Sequence, residues 1–437
     1  MNDDVASLKE AVPPEALRED LDFLLSAIEE GHPDPYAHVS RAELAGAFRS
    51  TSSAIAAPMS PADFYRLLAP LVASLRNAHT HVSRPACFDA HVAGGGAVFP
   101  LALEYDGVQP VVVESFGPEP LPAGAAVLAI DGLDATAIID RFARYLPREG
   151  LPSNPWMIAR EDWLWWWLWL EFGSQGQLEL RLETPDGTIS DHSVSAVPQS
   201  GFRGGPPRRP DYGYRPIPEW GAGLIECRLF RDCAELGPFL KAAFADITSR
   251  NLAGLILDLR RCRGGLSTGA DALLGYLTDR PYRQFQEIRT RVSEESRAVS
   301  RELPPGTATG DVMVTECPFL CPPATQRRFT GQVCVLIAPT TFSTGVSVAW
   351  TAKRTAAAVL IGQEAGDRTA CAGGSCPVSL PHSRLQVNVA TQYVVCDGAS
   401  AQGQALRPDY EVRQLREDTA RGVDTVIRFA LELLRRP

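Results

Sequence analysis

Leu255-Ile-Leu-Asp-Leu-Arg-Arg-Cys-Arg-Gly-Gly265 decides the fold, together with Val333-Cys-Val-Leu-Ile-Ala-Pro-Thr-Thr-Phe-Ser-Thr-Gly345 further along the chain. Each is an apolar run of strand length that ends abruptly in residues suited to a tight strand-to-helix turn. In the first, Gly264 and Gly265 can adopt backbone angles closed to other residues, so that main-chain N–H groups can line a cavity. In the second, Ser343 stands where a strand gives way to a helical pattern (Val346, Val348, Ala349, Trp350). A hydroxyl there lies near a helix N-terminus, which favours developing negative charge. Ser343 is then either a nucleophile beside free N–H donors or an ordinary N-cap, the commonest use of serine before a helix.

Around these two runs the chain alternates strands and helices: strand 224–230, helix 236–249, strand 255–259, helix 269–277, the Ser343 strand and helix, a strand at 358–362, further strands to 395 and a closing helix at 418–435. Such alternation predicts an α/β protein with a mainly parallel sheet and a ligand site at the carboxyl ends of its strands. Residues 279–331 read as a long irregular excursion, either a lid or a plain surface loop.

The first part of the chain differs. Leu17, Leu21, Leu24, Leu25 and Ile28 recur at helical spacing up to Gly31-His-Pro-Asp-Pro35, a second helix covers 41–51, and a third opens with Ser60-Pro61 and carries Phe64, Leu67, Leu68, Leu71, Val72 and Leu75 on one face. These make a three-helix bundle. It ends in Leu75-Arg-Asn-Ala-His-Thr-His-Val82, where His79 and His81 share one side if the segment is extended. Two such histidines could bind a metal, but no third ligand stands in an obvious place, so no metal is assigned.

Short strands follow at 99–103, 108–114, 126–130 and 178–182, with an Asp131-Gly132 hairpin, which reads as a small β-rich module. Within it, residues 156–173 hold six tryptophans, five of them in Trp163-Leu-Trp-Trp-Trp-Leu-Trp-Leu-Glu-Phe172. A helix apolar all round is either core and inter-domain packing or an aromatic wall of a substrate groove, with Trp163 and Trp166 as the wall. Residues 200–218, rich in Gly, Pro and Arg, read as a linker or surface loop.

Composition bounds the function. The 437 residues are 45% hydrophobic and 22% charged, as in an ordinary globular protein of two or three domains. A net charge of −10 with no dense basic run argues against nucleic-acid binding. The start, Met1-Asn-Asp-Asp-Val-Ala-Ser-Leu-Lys9, has no basic-plus-apolar secretory pattern, and no apolar stretch reaches the roughly 20 residues of a membrane span. These features predict a cytoplasmic protein. Of the ten cysteines, Cys317-x3-Cys321 and Cys371-x4-Cys376 lack zinc-finger spacing, and all are read as buried or free thiols.

Taken in order, Asn77-Ala-His-Thr-His-Val82, Asp258-Leu-Arg-Arg-Cys-Arg-Gly-Gly265, Thr341-Phe-Ser-Thr344, Ile361-Gly-Gln-Glu-Ala-Gly366 and Arg407-Pro-Asp-Tyr-Glu-Val412 resemble the successive motifs of the S41 serine peptidases, the tail-specific or C-terminal processing protease family. The resemblance is greatest to the branch with an N-terminal helical bundle, similar to interphotoreceptor retinoid-binding protein and the tricorn core proteases. It implies a ClpP/crotonase-like catalytic core preceded by a PDZ-like module, hence segments 1–85 (bundle), 86–200 (β-rich module with the tryptophan helix) and 201–437 (core). It further implies Ser343 as nucleophile, His79 as general base and the N–H groups of Gly264 or Gly265 and Thr344 as oxyanion hole, with no cofactor. The substrate would be a peptide or protein, cut near a C-terminus or of limited length, and the enzyme could be a homo-oligomer.

The chain departs from the family at four places. Arg368 stands near the place of the processing-protease lysine, and an always-protonated guanidinium cannot serve as a base, which leaves a Ser–His mechanism. Gln402 stands where the tricorn-like branch has a histidine-orienting Glu, with Asp397 nearby as its substitute. Cys262 replaces the family's Asn, and Asn77-Ala78 its Asp-Gly. Two alternatives to a peptidase therefore follow: a catalytically weak or inactive relative that binds an apolar ligand or peptide, and a serine acyl-transfer enzyme or hydrolase with a non-peptide substrate.

Overall fold

A computed structural model describes residues 11–173, 176–205, 207, 209–299, 306–321 and 328–436. The acidic segment 1–9 lies outside the described residues. The chain forms two compact units, the first from Met1–Pro207, Arg289–Met313 and Ala372–Tyr393, the second from Arg208–Ile288, Val314–Cys371 and Val394–Pro437. Segments 289–313 and 372–393, which the motif order leaves in the last domain, thus group with the first part of the chain.

The second unit is an α/β layer structure. Its six-stranded sheet runs in the order Tyr212–Ile217, Ala222–Cys227, Gly254–Asp258, Gln332–Ile337, Val359–Gly362 and Tyr410–Glu411. Only the first pair is antiparallel. The alternation of a strand assigns its residues to two cores. Leu255, Leu257, Val333, Val335 and Ile337 join the side chains of helices Cys233–Ser249, Ser267–Leu277 and Thr344–Thr355. Ile256, Cys334, Leu336 and Ile361 pack instead with Val426, Ala430 and Leu431 of helix Thr425–Leu434. With apolar residues on both faces, the central strands read as continuous hydrophobic runs.

Three local expectations are corrected. Residues 200–218 are not all linker, because Tyr212–Ile217 is the edge strand of this sheet. Residues 279–331 are not a structureless excursion: strands Phe285–Arg291 and Val312–Glu316 and helix Glu294–Val299 lie within it. The closing helix is two, Arg416–Ala420 and Thr425–Leu434, parted at Gly422, whose φ is +67°.

The first unit holds the amphipathic helices Pro14–Gly31, Arg41–Ala54 and Pro61–Ala73. Ser60 Oγ accepts the Asp63 N–H at the start of the third, and a reciprocal Ser40–Glu43 capping box starts the second. An antiparallel sheet follows in the order Leu101–Tyr105, Pro110–Ser115, Ala126–Ile130, Gln177–Glu183 and Ile189–Ser195, its Asp131-Gly132 hairpin pairing Ile130 with Leu133. Helix Glu161–Phe172 carries the tryptophans, and Trp166 and Trp167 have no exposed surface. A separate three-stranded sheet pairs His81–Val82 with Gln386–Val389 and Cys376–Ser379. Among the described residues no helix is long and apolar enough to cross a membrane, and all ten cysteines are free thiols.

Candidate active site

Two strand-to-helix turns of the second unit build the site around Ser343. Strands Gly254–Asp258 and Gln332–Ile337 are parallel neighbours with Asp258 opposite Leu336, so the turns that follow them leave the same sheet edge side by side. They are then bonded together. Thr341 Oγ1 donates to the Leu259 carbonyl (2.8 Å), Thr340 Oγ1 donates to that of Arg260, the Phe342 N–H donates to Cys262 O (2.9 Å), and Thr344 Oγ1 donates to Gly265 O (2.7 Å). The threonines beside the serine are thus fasteners between turns.

Ser343 sits at the N-cap position of helix Thr344–Thr355, yet its side chain makes no capping hydrogen bond. Its φ of 53° and ψ of −124° lie outside the regions that L-residues favour, at a cost of about 1–3 kcal/mol. Strain of this kind persists only where surrounding bonds over-determine the backbone, as the inter-turn bonds do here. The ordinary N-cap reading therefore fails: the hydroxyl is held apart from the helix it precedes.

Gly264 faces this serine. With φ +93° it takes the left-handed region, and a Cβ added to it would lie 2.6 Å from Ser343 Cβ and 3.1 Å from Oγ. Gly265, φ +116°, bridges Phe230, whose N–H donates to Gly264 O and whose carbonyl accepts the Leu266 N–H, both at 2.8 Å. Among the described residues, the N–H groups of Gly264, Gly265 and Thr344 donate to no protein acceptor. Cys262 is buried with its Sγ 3.0 Å from where a Gly345 Cβ would be, so it packs under the serine helix.

A third segment, missed in the sequence reading, closes this site. After strand Val359–Gly362 the Gly366 N–H donates to Thr341 O (2.9 Å), which brings Asp367 to the nucleophile turn. Its buried carboxylate accepts the Ser343 N–H at 3.2 Å through Oδ2 and the Arg368 N–H at 2.8 Å through Oδ1. In sequence it is one acid beside Arg368, with no spacing or motif of its own to mark it.

The carboxylate and amide expected from the motif order lie in other surroundings. Asp397 Oδ1 pairs with Arg283 Nε at 2.6 Å and Oδ2 with Arg354 Nη2 at 3.8 Å, so its charge serves an arginine cluster. Gln402 is exposed in a turn.

His79 belongs to the first unit, in a turn after helix Pro61–Ala73, and is 7% exposed. Thr80 Oγ1 donates to Asn77 Oδ1 (2.8 Å) and accepts the Ala390 N–H (3.1 Å). Glu149, also missed in the sequence, accepts Asn77 Nδ2 at 2.9 Å and the Ala78 N–H at 3.2 Å through Oε2, while Oε1 lies 3.0 Å from His38 Nε2. A Cβ at Gly373 would lie 3.7 Å from His79 Nε2, an ordinary contact, so the Gly373 backbone passes beside the ring. His81 is in strand His81–Val82, its Nε2 3.3 Å from Asn388 Nδ2; burial, then the charge of His79, push its pKa down to about 4.

Trp163 and Trp166 do not form an open wall. Trp166 lies among Tyr65, Phe88 and Trp169, with ring centroids 5.3 Å from each, and Trp163 is tilted against Trp167. An aromatic helix with this packing is core.

The second unit thus has a mainly parallel sheet that ends in a glycine turn and a strained serine turn within a mixed α/β architecture. Residues 213–412 match the model of peptidase family S41. The match supports a peptidase function in general terms. No curated protein is significantly similar in sequence. Among solved structures, mature CPAF complexed with lactacystin is 15% identical with a TM-score of 0.68, covering 97% of this chain and 98% of that one. Mature CPAF is 14% identical with a TM-score of 0.67, covering 97% of each chain. At these identities the likeness is one of fold. The photosystem II D1 C-terminal processing protease aligns at 14% identity with a TM-score of 0.48, over 96% of this chain and 97% of that one.

Proposed function

We propose that the protein is a serine peptidase that cleaves peptide bonds through an acyl-enzyme on Ser343, with His79 as general base. The observation that carries this reading is Ser343 itself, strained, free of capping duty and faced by a glycine that leaves its hydroxyl room. Ser343 Oγ attacks the scissile carbonyl carbon while its proton passes to the His79 imidazole. The carbonyl oxygen takes the negative charge and is met by the N–H groups of Gly264 or Gly265 and of Thr344. Collapse of the tetrahedral intermediate breaks the C–N bond, and the amine leaves with the proton held by the imidazole. Water then attacks the ester, giving its proton to His79, and the released Ser343 oxygen recovers one.

Arg368 in place of a lysine supports a histidine base, because a guanidinium stays protonated. Substrates would be peptides or unfolded protein ends cut near a C-terminus. The test is mass-spectrometric labelling by a fluorophosphonate at mildly alkaline pH on wild type, Ser343→Ala and His79→Ala. Adduct on Ser343 that is lost in both variants is expected. Folded wild type that stays unlabelled would overturn the reading.

A further inference from the structure

The motif order points to a neutral glutamine, Gln402, with Asp397 nearby as the carboxylate that would stand in for it. The carboxylates of the second unit near the two turns have distinct duties. Asp258 pairs with Arg260 (2.6 Å), which also reaches Asp424 (2.7 Å). Asp271 accepts Gln284 Nε2 at 2.7 Å, and Asp397 pairs with Arg283. Asp367, only 2% exposed, takes the N–H of the nucleophile itself.

Its place is built rather than incidental. The Gln363 N–H donates to Ile337 O (3.0 Å), the Ala365 N–H to Leu406 O (3.0 Å) and the Gly366 N–H to Thr341 O (2.9 Å). Three successive backbone bonds therefore deliver the carboxylate to residue 343. A buried carboxylate that accepts two backbone N–H groups is held at fixed geometry.

We propose that Asp367 is the positioning carboxylate of the hydrolytic site, fixing the strained backbone of Ser343 and supplying the negative charge that favours the protonated base during acylation. It takes the part that the motif order gave to Gln402 or Asp397. The inference rests on the Ser343–His79 reading. The physical argument has two halves. The bond from the Ser343 N–H holds a backbone conformation that an unbonded serine would leave, so the hydroxyl keeps its aim. The carboxylate binds the N–H of the same residue that carries the hydroxyl, so a base that accepts the hydroxyl proton becomes a cation near a fixed anion, which stabilises it in a water-poor site.

Within the second unit, the titratable and charged groups beside Asp367 among the described residues include the Cys371 thiol, with its sulfur within 4.8 Å, the buried Cys396 thiol, whose pKa is raised by burial and then by Asp367 and Asp397, and Arg368 next to it in sequence. The buried Cys396 stays a neutral thiol through the pH range of the test.

The experiment compares wild type, Asp367→Asn and Asp367→Ala in the full chain, reading the rate constant of fluorophosphonate labelling of Ser343 from pH 5 to 9 and the kcat and KM of any peptide found to be cleaved. The Asn variant keeps an oxygen for the Ser343 N–H but no charge. Its labelling rate should fall roughly a hundredfold or more, in kcat rather than KM, and its acid limb should move to lower pH, since loss of a nearby anion lowers the pKa of the base. The Ala variant should be slower still. A purely structural role predicts a slower rate with an unmoved acid limb. The inference is overturned if wild type labels and Asp367→Asn, shown folded by circular dichroism, labels at the same rate or with the same acid limb. If wild type itself does not label Ser343, the peptidase reading fails and this inference with it. Should Asp367→Ala not fold, the Asn comparison alone decides.

Discussion

Gly264 stands against Ser343 so closely that one added methyl group at the glycine would sit 2.6 Å from the serine Cβ. Two residues far apart in sequence therefore share one space, and each constrains what the other can be. The glycine is required twice, by its positive φ and by this approach.

Gly264→Ala should reduce fluorophosphonate labelling of Ser343 by roughly a hundredfold or more, because the methyl group displaces either the hydroxyl or the N–H groups beside it. Thermal unfolding should change much less than activity. Equal labelling of the variant and wild type would show that the turn moves freely.

Glu149 holds the turn that carries His79 through Asn77 Nδ2 and the Ala78 N–H. Glu149→Ala leaves both donors without their acceptor, at about 1–3 kcal/mol for each buried group left unpaired. The variant should unfold at lower temperature and label more slowly, whereas Glu149→Gln, which keeps an acceptor oxygen, should recover much of both. Differential scanning fluorimetry together with probe labelling reads the two effects.

Burial lowers the pKa of His32 from 6.5 to about 4, with Asn77 and Glu149 opposing the shift. Above pH 6.5 neither the folded nor the unfolded chain protonates it. Between 6.5 and about 4 the unfolded chain binds a proton that the folded one refuses, so stability falls as pH falls through that window, by about 3 kcal/mol from this group. His32→Asn should lose less stability between pH 6.5 and 4.5 than wild type in urea titrations. Parallel curves would refute the assignment.

Trp166 is wholly buried against Tyr65, Phe88 and Trp169. Trp166→Ala should destabilise the fold by about 3–5 kcal/mol, the cost of an aromatic cavity. Its effect on Ser343 labelling under conditions where the variant is folded should be small, because the ring serves packing. Loss of labelling from a demonstrably folded variant would return it to the substrate site.

Much of the architecture was legible in residue order because it follows local period. Strand runs such as Leu255 to Leu257 alternate between two cores, and the Pro61 helix announces its start with Ser60. The errors fell where local signals conflict. Tyr212–Ile217 forms an edge strand among Pro, Gly and Arg residues that read as a loop, and the closing helix breaks at Gly422.

The sequence by itself determined the α/β alternation, the paired glycines, the serine at a strand-to-helix turn and the resemblance to the S41 peptidases, because each is written in neighbouring residues. Only the tertiary structure decided that Ser343 caps nothing, that Asp397 belongs to Arg283, that Asp367 binds the Ser343 N–H and that Glu149 braces Asn77. Those partners are chosen by where buried polar groups find hydrogen bonds, a condition that links residues distant in the chain and leaves no period to read.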